Sequence, residues 1–208
     1  RQRLQGDIFI SSAISGEGNE SLLSNHMVDG IRNHPEVLRV VAYREARDVI
    51  NGRDALVAGT DVRSQCARGV YIFISGSCHD LPKEGVEYTL ISESAARKSD
   101  ISLGDTVSLR QRRLRVAGIM REFGTEQPLF ITEENLFAEL YNSPGVKTLT
   151  IDLRDSSRVE AVRRSFEEDH KDPIIVRNHG ELLRLVEDIF NRTFSVTDSV
   201  RWIVFVLA

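Results

Sequence analysis

The stretch VLRVVAYREARDVINGRDALVAGTDV, residues 37–62, carries the strongest folding signal in the sequence. Two runs rich in β-branched and other apolar residues flank the dipeptide Asn51-Gly52. This dipeptide favours a two-residue β-hairpin turn, because asparagine and glycine both tolerate the positive φ that such a turn requires. We therefore predict a strand over residues 37–49, a tight turn, and a second strand over residues 55–62.

The residues before this hairpin predict one strand and one helix. Ile8 and Ile10 alternate with their neighbours at the period of a half-buried strand over residues 6–12. Apolar residues at helical spacing predict a helix over residues 19–34, ended by Pro35. The first sixty residues are thus predicted to be β-α-β-β.

The middle of the chain is predicted to be rich in strands joined by hairpins. The predicted strands cover residues 70–74, 88–91, 106–109, 114–119 and 129–131. Two helices are predicted over residues 92–98 and 132–141, the second capped by Thr132. The apolar run 70–74 is expected in the core, with a cargo-contacting surface as its alternative.

A second β-α-β pattern follows Pro144-Gly145, with strands at 148–153 and 173–176 and a helix ending at Asp169. The predicted fold class is therefore α+β. We expect residues 1–62 and 146–178 to share one sheet, and residues 63–145 to form an inserted, strand-rich subdomain.

Residues 179–208 predict a long helix with a heptad seam. Asn178 and Glu181 have the spacing of a capping pair at its start. Apolar or near-apolar residues then alternate at four and three positions, at Leu182, Val186, Ile189, Thr193, Val196, Val200, Ile203 and Leu207. We interpret this helix as a stalk.

The uncharged run 202–208 follows Arg201, and arginine and tryptophan suit a lipid–water boundary. It has about a third of the roughly 20 apolar residues that a membrane span needs. We interpret it as the beginning of a membrane helix, and we expect both ends of the sequence to be internal to a longer protein. The alternative is an amphipathic helix that packs on its own domain.

Composition excludes some classes of function. The 208 residues are 41% hydrophobic and 28% charged, which is typical of a globular chain. The net charge of −4 leaves no basic footprint for nucleic acid, so we expect no nucleic-acid partner.

Few residue patterns in the sequence indicate catalysis, cofactor binding or metal binding. Ser77-Cys78-His79-Asp80 places nucleophile and base types side by side, but adjacent residues rarely face one another. Gly16-Glu17-Gly18 lacks the third glycine of a dinucleotide site, and the five histidines are scattered. We expect no catalytic residue, no cofactor and no metal. Cys66 and Cys78 can form a disulfide, which suits an oxidising compartment, or remain free.

Four arginines within six residues mark the predicted turn between two strands: Arg110, Arg112, Arg113 and Arg115. They form a solvated hairpin turn or a contact with anionic lipid or a partner protein. The sequence leaves both interpretations open.

Several segments together resemble the extracytoplasmic domain of MacB/FtsX-type ABC transporter permeases. These are the segments 6–10, 35–37, 51–52, 90–93, 103–107, 115–119 and 188–197. No single motif decides the resemblance, which depends on their order and spacing along nearly the whole chain.

The resemblance implies a porter-like subdomain with a strand-rich insert called Sabre, standing outside the inner membrane between two membrane helices. It implies a permease that pairs with a second copy or a paralogue and recruits a cytoplasmic ABC ATPase. Mechanotransmission through the stalk would then drive export or extraction of a substrate, by analogy a lipid or lipoprotein, with an envelope protein as a further partner. The alternative is a freestanding soluble binding or adaptor domain whose terminal helix packs on itself.

Overall fold

The computed structural model of the chain describes residues 6–13, 22–122, 127–142, 145–169 and 174–184. The strands and helices follow in the order β1 (Ile8–Ser12), α1 (Asn25–Arg32), β2 (Val37–Ile50), β3 (Arg53–Thr60), α2 (Val62–Ala67), β4 (Phe73–Ser75), β5 (Tyr88–Ser92), α3 (Glu93–Ser99), β6 (Thr106–Leu109), β7 (Arg112–Met120), β8 (Leu129–Glu133), α4 (Glu134–Tyr141), β9 (Thr148–Leu153), α5 (Val159–Asp169) and β10 (Ile174–Asn178). A further helix begins at residue 179 and is described as far as residue 184.

These strands form one mixed sheet with the order β10-β1-β9-β2-β3-β8-β5-β7-β4. Strand β6 also pairs with β7, on the same edge as β4: β6 pairs with residues 112–115 of β7, and β4 pairs with residues 119–120. Neighbouring strands are antiparallel except for the pairs β3–β8 and β5–β7, which are parallel. The fold is therefore α+β, as predicted.

Strand β2 connects the two halves of this sheet. Its residues 37–43 pair with β9, and its residues 44–50 pair with β3. The predicted two-residue turn is confirmed, because Ile50 lies opposite Arg53 and the φ angles of Asn51 and Gly52 are 50° and 73°.

The hydrophobic core has separate parts on either side of this connection. We call β1, β9, β10, α1, α5 and residues 37–43 the first lobe. Its core includes Ile8, Ile10, Met27, Ile31, Leu149, Ile151 and Phe166. The second lobe comprises residues 44–50, strands β3–β8 and helices α2–α4.

The second lobe has core residues on both faces of its sheet. Val57, Phe130 and Phe137 belong to one cluster, under α3 and α4. Ala58 and Ile131 belong to the other, next to Val62 of α2. Successive strand residues point to opposite faces, so both faces of these strands are buried. This burial explains why the second lobe contains fully apolar strand segments.

Helix α1 begins later than predicted. Leu23 and Val146 exchange backbone hydrogen bonds of 2.8 and 2.9 Å, which hold Leu23 in an extended conformation. Ser24 then caps the helix by accepting a hydrogen bond from the amide of Met27 at 3.2 Å. The tertiary pairing with Val146 therefore decides where the helix starts.

The predicted cap of α4 is wrong. Thr132 is buried inside β8, and its hydroxyl lies 3.4 Å from the Ala58 carbonyl oxygen, to which it donates. Glu133 occupies the position before the helix without a capping side-chain hydrogen bond. The Thr132 hydroxyl therefore bonds to the neighbouring parallel strand β3 and does not cap α4.

Candidate functional site

The two cysteines are joined in the structure. Cys66 lies in α2 and Cys78 in a short 3-10 helix, with their Sγ atoms 2.10 Å apart. The sulfur of Cys78 is therefore not available as a thiolate nucleophile. The disulfide closes a loop that contains the edge strand β4.

The polar residues beside Cys78 build a turn. The Ser77 hydroxyl donates to Asp80 at 2.7 Å and accepts a hydrogen bond from the His79 amide at 3.2 Å. His79 and Asp80 are exposed. Because the Ser77 hydroxyl bonds to the Asp80 side chain and to the His79 amide, and not to the His79 ring, this segment has no nucleophile–base pair of the kind that hydrolysis needs.

The apolar run 70–74 lies at the edge of the sheet. Tyr71 and Phe73 pack against the core, whereas Ile72 and Ile74 are each 45% exposed. The prediction that this run is buried in the core is therefore wrong for the two isoleucines. The reason is tertiary. Strand β4 lies at the edge of the sheet, where it pairs with β7 alone, and the core covers only the face that carries Tyr71 and Phe73.

Two of the four arginines at the predicted turn are engaged within the domain. Arg110 has φ 54° and forms an ion pair of 3.1 Å with Asp48. Arg112 contacts Glu87 at 2.7 Å and Glu139 at 3.1 Å. Arg113 and Arg115 are exposed, and their contact with lipid or a partner stays a prediction.

An acidic cleft of about 480 Å³ lies at the carboxyl ends of the parallel strands β3 and β8. Its acidic lining residues are Asp61, Glu84, Glu87, Glu133, Glu134 and Glu139. Asp61 follows β3 and caps α2, while Glu133 and Glu134 end β8 and begin α4. Parallel pairing thus gathers acidic residues that are distant in sequence.

The cleft acids make contacts within the protein. Glu133 accepts hydrogen bonds from the Tyr88 hydroxyl and from the Val62 amide, the latter at 3.1 Å, and lies 3.8 Å from Arg63. Burial, followed by the hydrogen bond to Glu133, raises the pKa of Tyr88. Tyr88 therefore remains a protonated donor. Within the described ranges, no group of three or more His, Cys, Asp or Glu side chains could hold a metal ion.

Glu134 connects the two lobes, which the sequence analysis did not predict. It contacts Arg44 at 3.2 Å and Arg32 at 3.3 Å. Arg44 lies between Ala42 and Ala46 in the alternation of β2 and is buried. A charged residue at an inward position of a strand is the sequence signal that could have indicated this contact.

The predicted capping pair of the C-terminal helix is confirmed. The Asn178 amide donates to Glu181 at 3.1 Å, and the Glu181 amide donates to the Asn178 side-chain oxygen at 2.9 Å. Asn178 Nδ2 also donates to Glu160 of α5 at 2.8 Å. The start of the helix is thereby tied to the first lobe.

The predicted heptad seam lies almost wholly outside the described residues. Leu182 is half-buried and does not belong to the core clusters of the described chain. The other predicted seam residues lie beyond residue 184 and outside the described ranges: Val186, Ile189, Thr193, Val196, Val200, Ile203 and Leu207. None of the helices in the described part of the chain has the length and apolar character that crossing a bilayer requires.

The contact between Asn178, at the start of the C-terminal helix, and Glu160 of α5 can be tested by its dependence on pH. The hydrogen bond from Asn178, followed by that from Arg163, lowers the pKa of Glu160 from its ordinary value of 4.5. A lowered folded-state pKa gives stability that is present above pH 4.5 and is lost as the pH falls through the folded pKa. Asn178→Ser keeps a capping oxygen but loses the donor to Glu160. We expect its stability deficit at pH 7 to shrink in acid.

The matched variant Asn178→Ala removes the cap as well, and we expect an additional loss of about 1 kcal/mol at pH 7. Urea unfolding of both variants at pH 7 and at pH 3 measures these differences. A serine variant with the same deficit at both pH values contradicts the role assigned to Glu160.

The model of the MacB-like periplasmic core domain family matches residues 2–169. The fold is similar to the periplasmic region of MacB from Actinobacillus actinomycetemcomitans, with a TM-score of 0.63 and 13% identity, covering 88% of this chain and 92% of that chain. No curated protein matches the chain significantly.

A second similar structure is the extracellular domain of the noncanonic ABC-type transporter YknZ from Gram-positive bacteria. Its TM-score is 0.58 at 16% identity, covering 82% of this chain and 99% of that chain. At these identities the likeness establishes the fold.

Proposed function

The chain belongs to the MacB-like periplasmic core domain family and is the extracytoplasmic domain of an ABC transporter permease; on this premise, we propose that it couples ATP hydrolysis by a partner to the movement of a substrate. The coupling is mechanical. A stalk helix transmits motion from the membrane to the domain, and the domain performs no chemistry of its own.

The observation that carries this proposal is the capped start of the C-terminal helix. Strand β10 ends at Asn178, and the capping pair starts the helix at the next residue. Asn178 is also bonded to α5, so a displacement of the helix start is passed to the first lobe. The heptad seam and the apolar run 202–208 predict that the same helix continues towards a membrane.

We also propose the division into subdomains made from the sequence. Residues 1–62 and 146–178 form the porter-like subdomain, residues 63–145 form the Sabre-like insert, and residues 179–208 form the stalk. The separate core clusters support a division into two subdomains with residues 146–178 in the first. The β2–β3 hairpin forms the connection, because it belongs to the porter-like subdomain in this division and contributes Val57 and Ala58 to the clusters of the second lobe.

The partners follow from the same proposal. The permease resides in the inner membrane with this domain on the periplasmic side, and it pairs with a second permease copy or a paralogue. A cytoplasmic ABC ATPase supplies the energy, and an envelope protein or a lipid serves as partner or cargo. The disulfide supports the location, because such bonds persist in oxidising compartments.

The full-length permease, reconstituted with its ATPase in lipid vesicles, tests the coupling. A spin label at the exposed position Gln111 of each copy reports the distance between the two domains with and without ATP. In wild type we expect the distance to change with ATP. In the variant Ile189→Gly/Val196→Gly we expect ATP hydrolysis to persist while the distance change is lost, because glycine destabilises a helix.

The matched control is Ile189→Leu/Val196→Leu, which keeps an apolar seam of good helix formers. We expect this variant to behave as wild type. An ATP-dependent distance change that survives in the glycine variant contradicts a rigid stalk.

A further inference from the structure

Strand β2 changes partners between Tyr43 and Arg44, at the junction between the two lobes. Side chains at even positions of β2 face α1 and α4, as Ala42 and Ala46 show by packing into the clusters beneath these helices. After the bulge between Val37 and Arg39, side chains at odd positions face the other side of the sheet, as Tyr43 shows. Each face carries an ion-pair cluster that joins the lobes.

The first cluster is centred on Glu134 and lies on the even face. Arg44, whose side chain is only 6% exposed, lies with its Nε 3.2 Å from Glu134 Oε1. Its Nη2 donates to the Asn25 side chain at 3.0 Å, and Arg32 donates to Glu134 at 3.3 Å. Asn25 and Arg32 belong to α1 of the first lobe, and Glu134 begins α4 of the second lobe. We name this the Glu134 cluster.

The second cluster is centred on Asp152 and lies on the odd face. Arg68 ends α2 of the second lobe, and its side chain is only 9% exposed. It donates to Asp152 of β9, in the first lobe, at 3.1 Å. Arg39 lies 3.9 Å from Asp152 and donates to Ser64 of α2 at 3.0 Å. We name this the Asp152 cluster.

The physical consequence follows from burial. A guanidinium removed from water must keep its polar partners, because an unpaired buried charge is strongly unfavourable. In the Glu134 cluster the buried Arg44 bonds across the junction to Asn25, and in the Asp152 cluster Arg68 bonds across it to Asp152. Bending the sheet at β2 towards one face separates groups on the opposite face. Two clusters on opposite faces therefore oppose bending in both directions. Among the apolar residues in the core clusters of the described chain, Tyr43 alone packs across the junction.

We propose that the Glu134 and Asp152 clusters act as two opposed contacts that hold the lobes at one angle, and that opening one of them permits the sheet to bend away from it. The device is built into the chain itself. It does not depend on the proposed transport function, and its test needs no permease.

Spin labels in the two lobes of the whole 208-residue chain measure the angle as a distance distribution. Labels at Gln111→Cys and Arg164→Cys occupy exposed positions in the second and first lobe. The native disulfide keeps Cys66 and Cys78 from being labelled. We expect one narrow distribution in wild type, and a distribution at least twice as broad in the double variant Glu134→Gln/Asp152→Asn.

The matched control is Glu36→Gln, which removes an ion pair with Arg158 inside the first lobe. We expect its distribution to match that of wild type. Where the double variant does not fold, the single variants Asp152→Asn and Arg32→Met replace it, since each alters one cluster at a partly exposed position. Distributions as narrow as that of the control in all folded cluster variants overturn the proposal.

Discussion

Replacing Phe137 by alanine is expected to lower the free energy of unfolding by about 3–5 kcal/mol, the usual range for a fully buried phenylalanine. Phe137 is 0% exposed and stacks on Tyr141 with ring centroids 4.8 Å apart. It joins α4 to the sheet beneath, so its loss leaves a cavity at the centre of the second lobe. Urea unfolding followed by circular dichroism measures the change.

The close contact between Gly59 of β3 and the Phe137 side chain provides a second test of the same packing. A Cβ atom built at Gly59 would lie 2.3 Å from the Cβ of Phe137 and 2.4 Å from its Cγ, distances that no packing permits. Gly59→Ala in the wild-type background is therefore expected to destabilise the protein by about 1–3 kcal/mol through overpacking. The glycine is required here by the close approach of the Phe137 side chain, from its Cβ to its ring.

The two substitutions are expected to be non-additive. Alanine at position 137 removes the ring atoms Cγ and Cδ1, which would lie 2.4 and 2.9 Å from the added methyl group, and keeps only the Cβ contact. The space left by the ring lets α4 shift to relieve that contact, so the double variant should lose less than the sum of the single variants. The matched control is Gly30→Ala in α1, where nothing lies within 4 Å of an added Cβ. We expect that control to be stabilised by about 0.5–1 kcal/mol, because alanine favours a helix interior. Strictly additive losses would show that the helix does not pack on β3 as described.

Removal of the Cys66–Cys78 disulfide is expected to cost about 3 kcal/mol, the loop-closure entropy for a sequence separation of 12 residues. The variant Cys66→Ala/Cys78→Ala removes the bond. Its closed loop contains β4, which pairs with β7 alone, so the sheet edge is expected to lose order before the rest of the fold. Hydrogen exchange resolves this order of events.

Reduction provides the control for the disulfide. A reductant should lower the stability of wild type to about that of the double alanine variant and leave that variant unchanged. Equal stability of wild type and variant under oxidising conditions contradicts the prediction.

The central hairpin turn and much of the first lobe could be predicted from the sequence, because their determinants are local. The turn at Asn51-Gly52 depends on two residues that accept positive φ, and the Asn178–Glu181 cap depends on one spacing. The alternation in β1 correctly placed Ile8 and Ile10 in the core. Such signals survive in any context because neighbouring residues create them.

The second lobe could be predicted less well, because its contacts join distant residues. Nothing near Thr132 indicates that its hydroxyl bonds to Ala58, and nothing near Ile72 and Ile74 indicates that their strand lies at an edge. Both outcomes depend on which strand becomes the neighbour. Parallel pairing of β3 with β8 brings together residues about 70 positions apart, which no local pattern encodes.

The amino-acid sequence by itself determined the α+β class, the central hairpin and the start of the C-terminal helix, because backbone propensity and short-range hydrogen bonds are sufficient for each. Tertiary structure alone decided that the side chains of Arg44 and Arg68, only 6% and 9% exposed, lie against Glu134 and Asp152. A charged side chain can be taken from water only where a distant partner is already held in place, and the sheet order supplies that partner.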